Sequence, residues 1–580
     1  MRLFSLALDY DGTIARDDRL DPAVRDAIAL ARTRGITVLL ATGRILDDLR
    51  RVAGELHFVD GVIAENGAVL HFPESGHTTL LAPGIPKSFL DELTRRGVPF
   101  QAGQALVDTD AVHARAVLEV IHALELPLVL IFNKGRVMTL PQGVSKGTGL
   151  HAALDTLRLS ARNTLAVGDA ENDHELLRHA EVGVAVPWAS AALRETADLT
   201  LSGDGPGIVA AYLRGLADEG RLPTAAHGRR RLLLGYGEDG SEFTLMARGR
   251  NVLIAGDTKS GKSWVAGLLC EQMILHGYCI CVIDPEGDYR SLEALPGVTI
   301  LGGEDPPPSP RDLMRALRYP DRSVVIDLSR VPQDGKLAYI RSALAALNRL
   351  RRQTGLPHRI VIDEAHYFLP GGDQGLLDLE RNSYTVITYC ASRLPRSLLA
   401  ATDVIIVTCA SNPAEIDALF ARSGQGAGAD RKDWDILSRL RPGQAIALPI
   451  TAESAGQLRL LTVARRLTPH VRHRQKYVDV PVSDRRAFVF ATTPVVRATT
   501  LRQFVAELER LAPDALEPFV ERGDFSRWIR DVFGDHALAA ELMAIESRHR
   551  GKAGVDTIAA LSDAVRARYD LRDDALAQRR

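Results

Sequence analysis

Leu3-Phe4-Ser5-Leu6-Ala7-Leu8-Asp9-Tyr10-Asp11-Gly12-Thr13 opens the chain with a short apolar run that stops on two carboxylates one residue apart. A run of this length ahead of a glycine reads as a buried strand ending in a turn. If the strand geometry persists through the pair, Asp9 and Asp11 point the same way. They then stand at a strand's C-terminal end, where open α/β sheets place their ligands. One carboxylate can attack phosphorus while the other carries a proton to the leaving group. Gly12 allows the sharp turn that follows. In isolation the pair also fits a plain strand-end turn, so the rest of the chain has to decide.

Further strand tips carry matching chemistry. Thr37–Ala41 runs into Thr42-Gly43-Arg44, where a hydroxyl and backbone N–H groups can hold phosphate oxygens. Gly61–Ala64 runs into Glu65-Asn66-Gly67-Ala68. Lys146 follows a strand-like Val137–Leu140 and can neutralise phosphate and nucleophile together. Thr164–Val167 runs into Gly168-Asp169-Ala170-Glu171-Asn172-Asp173. Mg²⁺ takes oxygen ligands, commonly one or two carboxylates with water and phosphate. Asp9, Asp169 and Asp173 would supply that shell, with Asp11 counted beside them. Each piece alone is a common surface feature; their order, nearly all at or just after predicted strand ends, is not.

This ordered set resembles the haloacid dehalogenase superfamily, most closely its Cof-type and sucrose-phosphatase-like branch, over about residues 1–216. The resemblance implies Asp9 as a nucleophile forming an aspartyl-phosphate and Asp11 as general acid and base. It implies Thr42 on phosphate, Lys146 balancing charge, and Asp169 with Asp173 on Mg²⁺. The second Asp of the pair argues for a phosphatase rather than a dehalogenase. The substrate would be a small phosphorylated metabolite such as a sugar phosphate. The family's inserted cap would fall at about residues 72–144, short for the branch.

A second constellation starts at Asn251-Val252-Leu253-Ile254-Ala255, a strand that enters Gly256-Asp257-Thr258-Lys259-Ser260-Gly261-Lys262-Ser263 ahead of a helix. In this strand–loop–helix context, backbone N–H groups cradle phosphates, Lys262 reaches the β- and γ-phosphates, and Ser263 ligates Mg²⁺. ATP is the expected nucleotide. Arg359–Ile362 runs into Asp363-Glu364, which offers an outer Mg²⁺ ligand in Asp363 and a carboxylate in Glu364 to orient attacking water. Together with Asp284-Pro285-Glu286-Gly287-Asp288-Tyr289 and Ala391-Ser392-Arg393-Leu394-Pro395, this segment resembles the HerA/FtsK class of hexameric ATPases over about residues 229–467. Thr388 or Ser392 would then sense the γ-phosphate, although the usual Thr-Gln-Arg-Pro pattern is altered and Lys259 replaces a common glycine. Arg381 and Arg393 are the candidates for an arginine finger, a plain surface arginine being the other reading of each. The resemblance implies a homo-oligomer, a hexamer in that class.

The fold expected is therefore α/β. Two Rossmann-like three-layer domains, a phosphohydrolase core (1–216) with a small inserted α/β cap and a P-loop ATPase core (232–467), are joined by a polar linker (217–231). A small, mostly helical C-terminal domain (480–580) follows. Its Phe525–Phe533 segment has apolar residues at helical spacing and reads as core. A net charge of −2 gives no global argument for nucleic acid or an anionic membrane and leaves a local basic groove open. The five cysteines lack zinc spacing and read as reduced thiols. With no signal-peptide pattern and no long apolar run, a cytoplasmic protein without a membrane span is expected.

Overall fold

The structure is a computed structural model that describes residues 1–133, 135–224, 229–369, 375–423, 431–449, 458–469, 478, 481–482, 486–490, 495–533 and 535–569. Its first unit is built on an eight-stranded sheet. The strand Ser5–Asp9 lies between Thr164–Gly168 and Thr37–Ala41, both parallel to it. All three are buried along almost their whole length, which matches their continuous apolar sequence. Flanking helices are written into the chain with clear starts. Pro22–Thr33 begins with Pro at its first position and Asp21 as cap, and buries Val24, Ala27, Ile28 and Ala31 as one stripe. Lys146–Leu157 starts in a capping box between Ser145 and Thr148.

The inserted cap is a four-stranded antiparallel sheet in the order Leu128–Asn133, Arg136–Pro141, Val107–Asp110 and Gln101–Ala102. Two helices, Lys87–Arg95 and Ala114–Ala123, close over it. The insertion starts beyond Leu80 rather than at about Phe72. Gly76, at φ 66°, turns the chain so that His77–Leu80 pairs back on Val69–Phe72 and extends the main sheet.

The second unit has an eleven-stranded sheet. Its parallel part runs in the order Val404–Val407, Val252–Ala255, Tyr384–Thr388, Arg359–Ile362, Ile280–Asp284, Ser323–Asp327 and Val298–Gly302. One strand thus separates the P-loop strand from the one ending at Asp363. The C-terminal unit packs its helices around an aromatic core in which the Phe488 ring lies 5.2 Å from Phe504 and 5.4 Å from Trp528. Phe525, Trp528, Ile529 and Phe533 are all buried there. Among the described residues no helix is long and apolar enough to cross a membrane.

The first two units meet across a polar seam. Glu181, 3% exposed at its side chain, accepts from Tyr278 Oη at 2.9 Å and stands within 3.3–3.5 Å of Arg162, Arg230 and Arg248. Nearby, Gly355 has φ 76°, and an added Cβ would stand 2.8 Å from the Phe4 ring and 3.0 Å from Asn163. Gly355→Ala is therefore expected to cost about 1–3 kcal/mol, since left-handed backbone and overpacking act together. Denaturant unfolding of the full chain measures it; an unchanged midpoint would contradict this close approach.

Candidate functional site

Asp9, Asp169 and Asp173 come together at the tips of the first sheet, and each can place one carboxylate oxygen within 4.8 Å of the others. All three are buried. Lys146, the first residue of its helix, donates to Asp9 Oδ1 and to Asp173 Oδ1, both at 2.6 Å. Thr13 Oγ1 donates to Asp9 Oδ2 at 2.9 Å. Asp173 Oδ2 accepts the backbone N–H groups of Asp169 and Ala170, each at 3.0 Å, which fixes the turn carrying Asp169. Burial first, then the carboxylates of Asp173 and Asp169, push the Asp9 carboxyl well above its usual range against the pull of Lys146. Burial also opposes the Lys146 ammonium, but Asp173 and Asp9 outweigh it and raise its pKa. Three buried carboxylates facing one ammonium leave excess negative charge. That donor set, all oxygen and hard, fits a divalent cation such as Mg²⁺.

Asp11 does not join the cluster. Its carboxylate sits in the fork of Arg44, with Nε donating at 2.8 Å and Nη2 at 2.6 Å. Arg44 also reaches Asp48 at 2.9 Å and contacts Asp18. Thr42 is fully buried at the next strand tip, and its hydroxyl accepts from Arg44 N at 3.1 Å.

Three features were not read from the sequence. Buried Glu65 accepts the N–H groups of Gln104 and Ala105 in the cap, at 3.0 and 2.8 Å, and so ties cap to core. A Cβ at Gly103 would stand 2.5 Å from that carboxylate, so only glycine fits the latch. Met138 of the cap lies over Gly43, where an added Cβ would meet it at 3.2 Å. Trp188 Nε1 donates to Gly12 O at 2.6 Å and pins the turn behind the Asp pair. Gly103 was the one visible signal, and nothing local distinguished it from any loop glycine.

At the second site Gly256, Asp257, Thr258, Lys259, Ser260 and Gly261 form the loop between the strand Val252–Ala255 and the helix Lys262–Leu275. Gly256 (φ 150°) is wedged against Thr408 and Cys409. Gly261 (φ 104°) has nothing within 4 Å of a built Cβ. That open space at the start of a fourteen-residue helix suits a phosphate. Lys262 Nζ donates to Asp257 O at 2.9 Å and Ser263 Oγ to Asp288 Oδ2 at 2.8 Å. Asp363 and Glu364 are buried at their strand end, and Glu364 has φ 48°, a strained backbone of the kind found at working sites. His366 lies 3.8 Å from the Glu364 carboxylate and 3.0 Å from Thr388 Oγ1. Burial pushes His366 down to about 4, so it is neutral at pH 7. Ser392 is turned to Glu415, which accepts from both its hydroxyl (2.5 Å) and its N–H (2.9 Å). Arg381 pairs with Asp378 at 2.9 Å, and Arg393 is exposed.

The C-terminal unit touches this loop directly. Thr258 Oγ1 donates to Pro481 O at 3.0 Å. Lys259 Nζ donates to Val532 O and lies 4.5 Å from the centre of the Phe533 ring.

Comparison with known proteins divides along the same lines. Residues 6–116 and 102–204 match the model of the haloacid dehalogenase-like hydrolases, and residues 247–303 match that of the central domain of helicase HerA. Proteins named phosphoglycolate phosphatase are similar to the first unit. One from Methanopyrus kandleri is 32% identical and one from Methanoculleus marisnigri 34%; each match covers 36% of this chain, and 96% and 95% of theirs. The solved structure of a haloacid dehalogenase-like hydrolase from B. subtilis aligns at 20% identity and a TM-score of 0.33. It covers 37% of this chain and 100% of its own.

Proposed function

The chain belongs to the haloacid dehalogenase-like hydrolases through residues 6–204, and from that premise we propose that its first unit is a Mg²⁺-dependent phosphomonoester hydrolase. The observation that carries this reading is Lys146 bridging Asp9 and Asp173 inside a buried carboxylate cluster. Asp9 and Asp169, backed by Asp173, would hold Mg²⁺, which supplies charge neutralisation at the phosphoryl oxygens. An Asp9 carboxylate oxygen attacks phosphorus, the bond to the leaving oxygen breaks, and Asp11 delivers a proton to that oxygen. Asp11 then takes a proton from water, whose oxygen attacks phosphorus and releases phosphate and free Asp9. Thr42 and Lys146 hold the phosphoryl oxygens. The Arg44 fork engages both Asp11 carboxylate oxygens, so it must open for Asp11 to reach the leaving oxygen. The substrate class is a small phosphorylated metabolite. Phosphate release from a panel spanning sugar phosphates and phosphoglycolate, with and without Mg²⁺, tests this. Chelating the metal with EDTA should remove activity and Mg²⁺ should restore it; full activity in EDTA would sink the metal's role.

In the second unit the same reading assigns ATP to residues 256–263, Mg²⁺ to Ser263 and Asp363, and the orientation of water to Glu364. Glu364→Gln is expected to lower ATP turnover by about 10²-fold or more while nucleotide affinity stays within a few-fold. Equal losses in both would give Glu364 a structural role instead.

One observation favours a second reading, in which nucleotide state regulates the protein. The C-terminal unit holds Thr258 and Lys259 through backbone oxygens and the Phe533 ring. A triphosphate draws the Lys259 ammonium more strongly than a carbonyl and a ring do. ATP would then loosen the C-terminal unit, and the unit would in turn weaken ATP binding. Hydrogen exchange of residues 529–533 should rise with a non-hydrolysable ATP analogue in the wild type and not in Lys262→Ala.

A further inference from the structure

A cavity of about 320 Å³ lies in the seam between the first two units, away from both phosphate sites. Residues from both units line it, including Arg2, Arg221, Arg351 and Arg381. Against these four guanidinium groups stand two carboxylates, Glu219 and Asp378, so the lining carries an excess of two positive charges. Its volume falls at the lower end of the range of small-molecule sites.

The walls are held from both sides. Leu3 N donates to Gly220 O at 3.1 Å and Leu222 N to Met1 O at 3.0 Å, which joins the two ends of the first unit. Asn163 Nδ2 donates to Arg2 O at 2.9 Å. His358 Nδ1 accepts from Cys279 N at 2.8 Å, so its Nε2 carries the proton and donates to Asn163 Oδ1 at 3.0 Å. His358 is thus a neutral strut; burial also pushes it down to about 3.

Arg351 is the part this scaffold does not satisfy. It is 6% exposed, its Nη2 donates to Asn382 O at 2.8 Å, and its guanidinium lies 4.9 Å from the centre of the Tyr384 ring. Among the described residues its Nη1 finds no hydrogen-bond partner. A buried charged donor left this way costs free energy that an anion meeting it returns; Nη1 is itself buried, so the guanidinium has to turn toward the cavity to meet one. Asn382 and Ser383, also in the lining, both have positive φ, 53° and 65°, so the wall beside Arg351 is itself strained. Arginine is the side chain best matched to phosphate and carboxylate geometry.

We propose that this seam cavity is a binding site for a small phosphate-bearing anion, held chiefly by Arg351 and Arg221 and bridging the two units. The site is distinct from Asp9 and from the P-loop. A ligand there would stabilise the docking of one unit on the other.

The test uses the full chain carrying Asp169→Ala and Lys262→Ala, without divalent cations, so that the two other phosphate sites contribute little. Inorganic pyrophosphate is titrated by calorimetry, and citrate is titrated in parallel. Uptake of about one equivalent is expected, with affinity falling about tenfold or more when Arg221→Ser or Arg351→Met is added. Arg221 is exposed, so its variant keeps the test valid if Arg351→Met fails to fold. Pyrophosphate binding tighter than citrate supports the phosphate assignment, and citrate binding as tightly overturns it. No uptake, or uptake indifferent to Arg221→Ser, overturns the site.

Discussion

Asp9→Asn is expected to abolish phosphomonoester hydrolysis, by about 10⁴-fold or more, and to leave ATP turnover within a few-fold of wild type. The size follows from what is removed. Losing the attacking group ends the covalent route, and residual rate comes only from binding and charge stabilisation. The substitution is nearly isosteric, and Thr13 and Lys146 remain to hold the side chain in place. A loss of rate through misfolding is therefore not expected, and an unchanged melting temperature checks that. Phosphate release from the most active phosphomonoester, measured beside ATP turnover on one preparation, gives both numbers. Retention of a tenth of the rate would remove Asp9 from the chemistry.

The converse prediction concerns Lys262→Ala. Lys262 now donates to its own loop at Asp257 O, and with nucleotide bound it would turn to the phosphates. Losing one charged donor of this kind costs about 10²–10³-fold. ATP binding or turnover should fall by that factor while phosphomonoester hydrolysis is unchanged. If both substitutions erased a single activity equally, the two sites would be one. The buried Glu181 seam joins the two units but offers no shared reacting group.

Much of this arrangement could be read in the chain because its chemistry is local to strand ends. The run Leu6–Leu8 is apolar because its strand is buried on both faces, and Asp9 is the last residue of that strand. The same logic placed Thr42, Asp169, the P-loop and Asp363. What escaped was fixed by distant partners. The Arg44 fork on Asp11 depends on a side chain thirty-three residues away. The Glu65 latch needs the cap's Gln104 and Ala105 brought against the core. Pro481 and Val532 meet the P-loop across more than two hundred residues of chain. No periodicity encodes such contacts. The cap boundary differs because nothing local in His77–Leu80 says which sheet it joins; its antiparallel pairing with Val69–Phe72 puts it in the main sheet.

The claim most exposed to a direct test is that phosphate passes through the side chain of residue 9. An Asp11→Asn variant, slow to release phosphate from the enzyme, would be given substrate and Mg²⁺, quenched, and reduced with borohydride, which converts an aspartyl-phosphate to homoserine. Mass spectrometry of the peptide spanning residues 3–13 should show homoserine at position 9, and none when Mg²⁺ is withheld. Turnover of the substrate by wild type with unmodified Asp9 in every such trap would contradict the account.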